Sequence, residues 1–257
     1  MSELFSIQLQ NRQQQGRDGV WLDLPTTTEQ VQAALRQIGI SSDNPQGLFI
    51  SGYFAEEEKR IAIPYNMVLA SNVDELNFLA ARLETLSAGE RAELNAALQT
   101  PQSEFSSIGR ITDFPENVDY YVHLLDVRGP AQLGDYYLNR SGMVDMPEEW
   151  KGGIDTAQFG RYVAQQEQGV FTEYGYLVKS GDAWQKVHEG QPVPEEYRVL
   201  SFPAPEVMRD AANIPPPVQP ETEPQKVIPI ILNGKESAER MKEITDRLET
   251  GIQQLFD

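Results

Sequence analysis

The amino-acid sequence predicts an α+β protein made of three small modules. Two observations support this prediction. Apolar residues recur with the two-residue period of strands in some stretches and with the helical period in others, and both kinds of stretch are short and interspersed. The length of 257 residues is sufficient for one large domain or for two to three small ones. The predicted modules cover residues 1–70, 71–111 and 112–202.

The first module is predicted to contain a small sheet and one helix. Alternating apolar residues bounded by turn residues indicate strands over residues 4–9, 20–24 and 48–54. After the second strand, Thr27 and Gln30 have the spacing of a capping box, which marks the start of a helix. Gly39 marks its end.

The second module is predicted to be a pair of short helices. Leucine and alanine at helical spacing indicate helices over residues 72–86 and 89–98, and either Ser71 or Asn72 is suited to cap the first. We expect these two helices to pack together in a unit that extends to about residue 110.

The third module mixes strand-like and helical segments. Its predicted segments are a β-rich stretch at 118–127 and helical stretches at 130–140, 147–150 and 156–163. Asp155 is suited to cap the last of these helices. A strand over residues 170–178 is expected to pair with residues 197–202, across turns near Gly181 and Pro192.

The remaining residues have a different composition. Eight prolines lie between Pro203 and Pro229, which predicts a semi-rigid linker over residues 203–232. Residues 233–257 then predict an amphipathic helix, whose apolar face continues to Leu255. Because an isolated helix of this length is marginally stable in water, we expect this helix to need a partner or a continuation.

The charge balance argues against direct binding of nucleic acid. The chain has 39 acidic and 21 basic side chains, and its formal net charge is −18. Proteins that bind nucleic acid directly need the opposite sign, because lysine and arginine displace counterions from phosphate. Acidity by itself is equally typical of an ordinary soluble protein.

Other classes of protein are disfavoured by what the sequence lacks. The absence of cysteine excludes disulfides, thiolate nucleophiles and cysteine-based zinc sites. The first six residues lack the basic region of a secretory signal, and no stretch approaches the roughly 18 consecutive apolar residues of a membrane span. We therefore expect a cytoplasmic protein without a membrane segment.

No motif for catalysis or cofactor binding is found. The two histidines, His123 and His188, are too few for a histidine metal cluster, and no phosphate-binding loop or nucleophile elbow occurs. Neighbouring carboxylates such as Glu148 and Glu149 do not face each other on a helix, so no pair is singled out for acid–base chemistry. We expect no catalytic residues, no cofactor and no metal.

The acidic residues are spread through folded sequence and interleaved with aromatic residues, unlike a disordered acidic tail. Fixed carboxylates on a rigid surface can imitate the phosphates of DNA. At the DNA charge density of one per ~1.7 Å, a net charge of −18 corresponds to roughly 30 Å, or about one helical turn. The candidate surface consists of Asp74, Glu75, Glu84, Glu90, Glu93, Asp113, Glu116, Asp119, Asp126, Asp135, Asp145, Glu148, Glu149, Asp155, Glu167 and Glu173.

Several segments, in order, resemble a known family. They are residues 19–25 (GVWLDLP), 27–31, 38–40, 74–80, 133–137, 154–161 (IDTAQFGR) and 169–176 (GVFTEYGY). Together they cover about residues 3–202 and are similar to the ArdA family of antirestriction proteins, in the version carried by mobile genetic elements such as conjugative transposons of Firmicutes. The terminal helix resembles the start of the N-terminal domain of ArdC-like proteins, from which no activity is carried over.

The resemblance to ArdA implies more than the residues alone indicate. It implies an elongated, curved chain of three modules that forms a homodimer through the third. It also implies mimicry of bent B-form DNA, which would occupy the DNA-binding site of type I restriction–modification enzymes without any catalytic residue.

Two alternatives remain open. An acidic protein-interaction scaffold without DNA mimicry would have clustered apolar surface and unaligned acids. An enzyme with an unrecognised carboxylate site would have a concave pocket with convergent acids of shifted pKa.

Overall fold

The protein combines helices with two small antiparallel sheets, which confirms the α+β class. The computed structural model describes residues 4–14, 18–56, 60–100 and 104–205. Contacts divide the chain into two units, Met1–Val207 and Met208–Asp257, and all described residues belong to the first. The predicted terminal helix and all but the first three residues of the predicted linker lie outside the described residues.

The first sheet has three strands, as predicted. Strands β1 (Phe5–Asn11), β2 (Val20–Leu24) and β3 (Leu48–Phe54) are antiparallel in the order β2-β1-β3. Ile7 and Leu9 of β1 are fully buried, while Gln8 between them points to the other face. One face of the sheet therefore belongs to the hydrophobic core.

Helix α1 (Thr28–Gln37) follows β2 and begins as predicted. The Thr27 side chain accepts the backbone N–H of Gln30, and the Gln30 side chain accepts that of Thr27, which completes the capping box. The helix buries Val31 and Leu35 in the core that also contains β1.

Four helices form the next part of the chain. They are α2 (Tyr65–Ala70), α3 (Val73–Leu83), α4 (Ala88–Leu98) and α5 (Ile108–Thr112). Of the two predicted candidates for the cap of α3, Asn72 is the one that caps it, through a capping box with Glu75. The main neighbour of α3 is α5, whereas α4 lies against a strand of the second sheet. Both long helices thus join the same core as the first sheet, and the module boundaries near residues 70 and 111 stay predictions.

The second sheet corrects the prediction for residues 170–178. This stretch forms two strands, β5 (Val170–Thr172) and β6 (Gly175–Lys179), joined by a two-residue turn. Strand β4 (Tyr121–Leu124) pairs with β6, giving the order β4-β6-β5. Gly175 has a φ of 137°, which L residues rarely adopt, and a side chain there would collide with the carbonyl oxygen of Leu124. The turn therefore depends on this glycine.

Residues 197–202 form no strand, so their predicted pairing with 170–178 is wrong. The Asp74 carboxylate of α3 accepts the backbone N–H groups of Val199 and Leu200, both at 2.7 Å. The Asn77 amide donates to the carbonyl oxygen of Tyr197 at 3.1 Å. Because helix side chains take these backbone groups, they are not available to a sheet.

The remaining helices surround the second sheet. Helix α6 (Pro130–Asp135) continues as a π-helix (Tyr136–Arg140) and is followed by α7 (Glu148–Lys151) and α8 (Thr156–Glu167). Asp155 caps α8 as predicted, by accepting the N–H groups of Ala157 and Gln158. A second, smaller hydrophobic cluster lies here and contains Leu133, Ala164 and Tyr176.

Helices α6 and α8 cross at a pair of glycines. A Cβ atom added to Gly134 would lie 1.9 Å from the Thr156 carbonyl oxygen, and one added to Gly160 would lie 1.8 Å from the Pro130 carbonyl oxygen. The two backbones therefore approach too closely for any side chain at these positions. No helix within the described ranges is long and apolar enough to cross a membrane.

Replacing either crossing glycine by alanine should destabilise the protein. Because the added methyl group meets rigid backbone, Gly134→Ala or Gly160→Ala should each lower the free energy of unfolding by about 3 kcal/mol. Gly89→Ala in α4 is the matched control, since its nearest neighbour would be 4.0 Å away. Urea unfolding of the three variants measures this, and equal stabilities would contradict the close crossing.

Candidate functional site

The predicted carboxylate surface divides into several groups once the fold is known. The exposed members are Asp119, Asp126, Asp145, Glu148, Glu149, Asp155 and Glu173. The partly buried members are Asp74, Glu75, Glu84, Glu90, Glu93, Glu116, Asp135 and Glu167. Asp113 is fully buried. The sixteen carboxylates are therefore not equivalent, and their partners decide what each can do.

Two of them hold backbone segments. Asp74, as described above, binds the backbone at Val199 and Leu200. Asp113 accepts the backbone N–H groups of His188 at 2.6 Å and of Glu189 at 3.2 Å. With no exposed surface, Asp113 cannot present its charge to a partner, and the prediction that it belongs to the surface is corrected here.

Three others cap helices. Glu75 and Glu90 complete capping boxes at the starts of α3 and α4, and Asp155 caps α8. The hydrogen bonds of Ser87 lower the pKa of Glu90. Such carboxylates are held in fixed positions at helix starts, which favour negative charge.

Glu167 lies at the second core. Its carboxylate accepts the hydroxyl groups of Tyr137 and Tyr176, the second at 2.9 Å. Tyr176 is itself fully buried. Glu167 therefore orders the end of α8 against the sheet and contributes less to the exposed charge.

Three further carboxylates form ion pairs. Glu116 pairs with Arg82, Asp135 with Arg140 at 3.0 Å, and Glu148 with Lys151 at 2.6 Å. Hydrogen bonds from Asn139 and Arg140 lower the pKa of Asp135. Because a neighbouring cation offsets each of these charges, this group adds little net negative potential.

The carboxyl group of Glu93 has a strongly raised pKa. Burial raises its pKa to about 8, and the nearby charges of Glu90 and Asp119 add to the effect. Its Oε1 atom is buried, with no hydrogen-bond partner in the described part of the chain. Glu93 is therefore protonated at neutral pH and carries no charge there.

The exposed carboxylates without a neighbouring cation remain. Ion pairs between described residues do not include Asp119, Asp126, Asp145, Glu149 or Glu173. Glu173 lies in the turn between β5 and β6, where the Gln99 amide donates to it. Glu84, which directly follows α3, does not belong to this group because it is partly buried.

One acidic site was missed by sequence reasoning. Asp182 lines a cavity of 300 Å³ together with Glu116 and Asp119, which are more than sixty residues away in sequence. Sequence spacing carried no signal for this proximity, because the turn after β6 brings Asp182 to the 3₁₀ segments that precede β4.

The described cavities do not gather acid–base groups around Glu93. One cavity, of 630 Å³, has Glu75 and His188 among its lining residues, and Glu93 lines none of the three cavities described. His123 is half-buried, with its Nε2 atom 3.0 Å from the Tyr174 carbonyl oxygen, and burial lowers its pKa. Among the described residues, no group of three His, Cys, Asp or Glu could hold a metal ion.

Comparison with protein families identifies the family of the chain. The family model of the antirestriction protein ArdA matches residues 15–178, which is more than half of the chain. Among the curated proteins there is no match. The matched range lies within residues 3–202, where the resemblance was found, and does not reach the terminal helix, whose resemblance to ArdC-like proteins stays a prediction.

The neutral state of Glu93 should make stability depend on pH. In the unfolded chain Glu93 loses its proton above its ordinary pKa of 4.5, whereas the folded protein keeps the proton up to about 8. The proton that the folded protein holds on Glu93 therefore stabilises it at low pH, and the free energy of unfolding should fall as the pH rises from 5 to 8. In Glu93→Gln, the decrease in the free energy of unfolding over this pH range should be smaller by about 1–2 kcal/mol, a figure that allows for the partial exposure of the side chain.

Urea unfolding at four pH values between 5 and 8 measures the effect. Glu149→Gln, at an exposed site, is the control and should leave the pH dependence unchanged. If the free energy of unfolding depended on pH in the same way in the wild type and in Glu93→Gln, Glu93 would be ionised in the folded protein.

Proposed function

The chain belongs to the ArdA family of antirestriction proteins, and from this we propose that it inhibits type I restriction–modification enzymes by mimicking bent B-form DNA. Its exposed carboxylates take the place of phosphates in the DNA-binding site of the enzyme. The interaction needs neither catalysis nor a cofactor, since occupancy of the site is sufficient.

The proposal is supported mainly by exposed carboxylates on ordered elements. Glu149 lies in α7, Asp155 at the start of α8, and Glu173 in the β5–β6 turn. A carboxylate on a folded element needs no ordering upon binding, so a partner loses less free energy to entropy than it would with a flexible acidic tail.

The acids that act as phosphate mimics are a subset of those predicted. The buried Asp113 and the protonated Glu93 are left out, and Asp74 and Glu167 act mainly in folding. The mimic surface then consists of Asp119, Asp126, Asp145, Glu149, Asp155 and Glu173, with smaller contributions from Glu75, Glu84, Glu90, Glu116, Asp135 and Glu148.

We further propose that the protein is a homodimer through residues 112–202. The three most exposed large apolar side chains of this region are Met143 at 76%, Trp150 at 69% and Tyr162 at 60%. Exposed apolar surface of this kind is typical of protein contacts. A dimer would double the length of the charged surface.

A second candidate is an acidic interaction scaffold without DNA mimicry. It is favoured by one observation, the contact between the exposed rings of Trp21 and Phe54 in the first sheet, because that candidate predicts clustered apolar surface. A scaffold would bind a protein partner without competing with DNA, so the two candidates differ in the inhibition assay described next.

Inhibition should depend on salt and on many charges at once. The purified chain should inhibit DNA cleavage by type I enzymes at low salt, and the inhibition should weaken as salt rises, because counterions screen the contact. A variant with Asp126→Lys, Asp145→Lys and Glu149→Lys together should lose inhibition. Each change alone should weaken it less than about fivefold, since exposed pairs contribute only ~0.2–1 kcal/mol.

The matched control keeps the charge and changes only side-chain length, with Asp126→Glu, Asp145→Glu and Glu149→Asp. This variant should inhibit as the wild type does. Absence of inhibition by the wild type at low salt, with a panel of several type I enzymes, would overturn the proposed function. Loss of inhibition from one reversal alone would overturn the distributed contact.

The dimer is tested by light scattering on the full chain. The molar mass should be close to twice 28.9 kDa at micromolar concentration. Trp150→Ser should shift the molar mass toward that of the monomer. Its unfolding temperature should stay near that of Leu125→Ser, a control variant at another exposed apolar site. A wild-type mass of 28.9 kDa at all concentrations would contradict the dimer.

A further inference from the structure

The face of the first sheet opposite the core carries two large exposed aromatic side chains. Trp21 of β2 is 49% exposed and Phe54 of β3 is 58% exposed. The opposite face of the sheet is the buried one, with Ile7, Leu9 and Leu22 in the core. The two rings therefore do not contribute to the hydrophobic core.

The strand register places these side chains in two neighbouring rows across the sheet. Trp21 pairs with Gln8, which pairs with Gly52. Asp23 pairs with Ser6, which pairs with Phe54. Side chains two residues apart on a strand lie on the same face, about 7 Å from each other. We call the set of Trp21, Asp23 and Phe54 the aromatic face.

Because Gly52 has no side chain, there is room above it for the indole ring of Trp21. The ring reaches across β1, and its Cη2 atom lies 3.0 Å from the position that a Cβ atom of Gly52 would take. Beyond it, the Trp21 and Phe54 rings meet edge to face, with centroids 6.5 Å apart and planes at 75°. The pair is thus held in place by the sheet while about half of each ring is exposed.

Asp23 adds a charge beside the rings. Its side chain is exposed, and Oδ1 accepts the Ser6 hydroxyl at 2.6 Å, which fixes the carboxylate on the same face. Within the described ranges, no cation pairs with Asp23. An aromatic pair next to an unpaired carboxylate is a suitable site for a guanidinium or ammonium group.

The same face already holds a guanidinium group on an aromatic ring. Phe49 lies opposite Gln10 in the register, and the Arg12 guanidinium carbon lies 5.4 Å from the centre of the Phe49 ring. Stacking of arginine on a phenylalanine ring therefore occurs within this sheet, one row beyond Gln8 and Gly52.

We propose that the aromatic face binds arginine or lysine side chains of the type I enzyme, at the basic surface that otherwise contacts DNA. This inference rests on the proposed function and adds a second kind of contact to it. Trp21 and Phe54 supply cation–π and apolar contact, and Asp23 pairs with the same cation. DNA offers no counterpart to this contact, so it would let the inhibitor bind the enzyme by more than imitation of phosphate.

Charge complementarity supports a cationic protein surface as the occupant. A single-stranded nucleic acid would also stack on exposed aromatic rings, but it is repelled by Asp23 and by a chain of net charge −18. A purely apolar segment would offer the Asp23 carboxylate no opposite charge and would bury it at a cost in free energy.

The two kinds of contact respond differently to salt, and this permits a clean experiment. Inhibition by the full chain is measured from low to high salt with the panel of purified type I enzymes. Trp21→Ser with Phe54→Ser should weaken inhibition about tenfold at every salt concentration, which corresponds to about 1.4 kcal/mol. The slope of the logarithm of affinity against that of salt should stay as in the wild type, because no phosphate mimic is lost.

Three further variants make the result decisive. Tyr65→Ser removes exposed apolar surface outside the aromatic face and outside residues 112–202, at a site 52% exposed, and should leave inhibition unchanged. Trp21→Phe with Phe54→Tyr should restore it, since aromatic rings remain. Trp21→Leu with Phe54→Leu should stay defective, because leucine keeps the apolar surface but does not attract a cation. Urea unfolding should show that all variants fold.

The outcomes separate this inference from the proposed function. Wild-type inhibition that falls steeply with salt, together with an unaffected Trp21→Ser/Phe54→Ser variant, would overturn the aromatic contact and leave DNA mimicry in place. Full inhibition by the leucine variant would mean that the aromatic face binds an apolar group and not a cation. Absence of wild-type inhibition would overturn both.

Discussion

The structure depends on buried polar side chains that satisfy the backbone of long irregular segments. A buried N–H or C=O group without a partner costs free energy comparable to a lost hydrogen bond. Asn77 of α3 accepts the N–H of Thr26 and donates to the carbonyl of Tyr197, and Asn95 of α4 does the same for Ala62 and Arg60. Asn117 binds both backbone groups of Gln185. These amides attach otherwise irregular chain to the core without strands.

The same constraint divides the carboxylates by role. Where irregular backbone passes over the core, a carboxylate accepts its N–H groups and is buried, as Asp113 does for the N–H of His188. Where a helix starts or a turn closes at the surface, as at Asp155 and Glu173, the carboxylate stays exposed on a fixed backbone. The way the fold meets its own backbone requirements therefore decides which carboxylates stay exposed, and under the proposed function these are the carboxylates that contact the enzyme.

Local elements were largely predictable, whereas pairings between distant segments were not. Strands β1, β2 and β3, the capping box of Thr27 and Gln30, and the Asp155 cap follow from residues within four positions of each other, and the structure confirms them. The strand pairing of residues 197–202 was wrong because Asp74, 125 residues away, takes the N–H of Val199. Periodicity carries no information about such a partner.

The sequence by itself determined the α+β class, the excess of acidic residues and the family resemblance. These features depend only on composition and on residues that are close together in the chain. Which carboxylates remain charged and exposed was decided by the tertiary structure alone. Burial neutralises Glu93, and a hydrogen bond across 75 residues takes Asp113 out of the surface. The aromatic face likewise exists only because register sets Trp21 above Gly52 and beside Phe54. Charge state and surface depend on neighbours in space, and folding sets those neighbours.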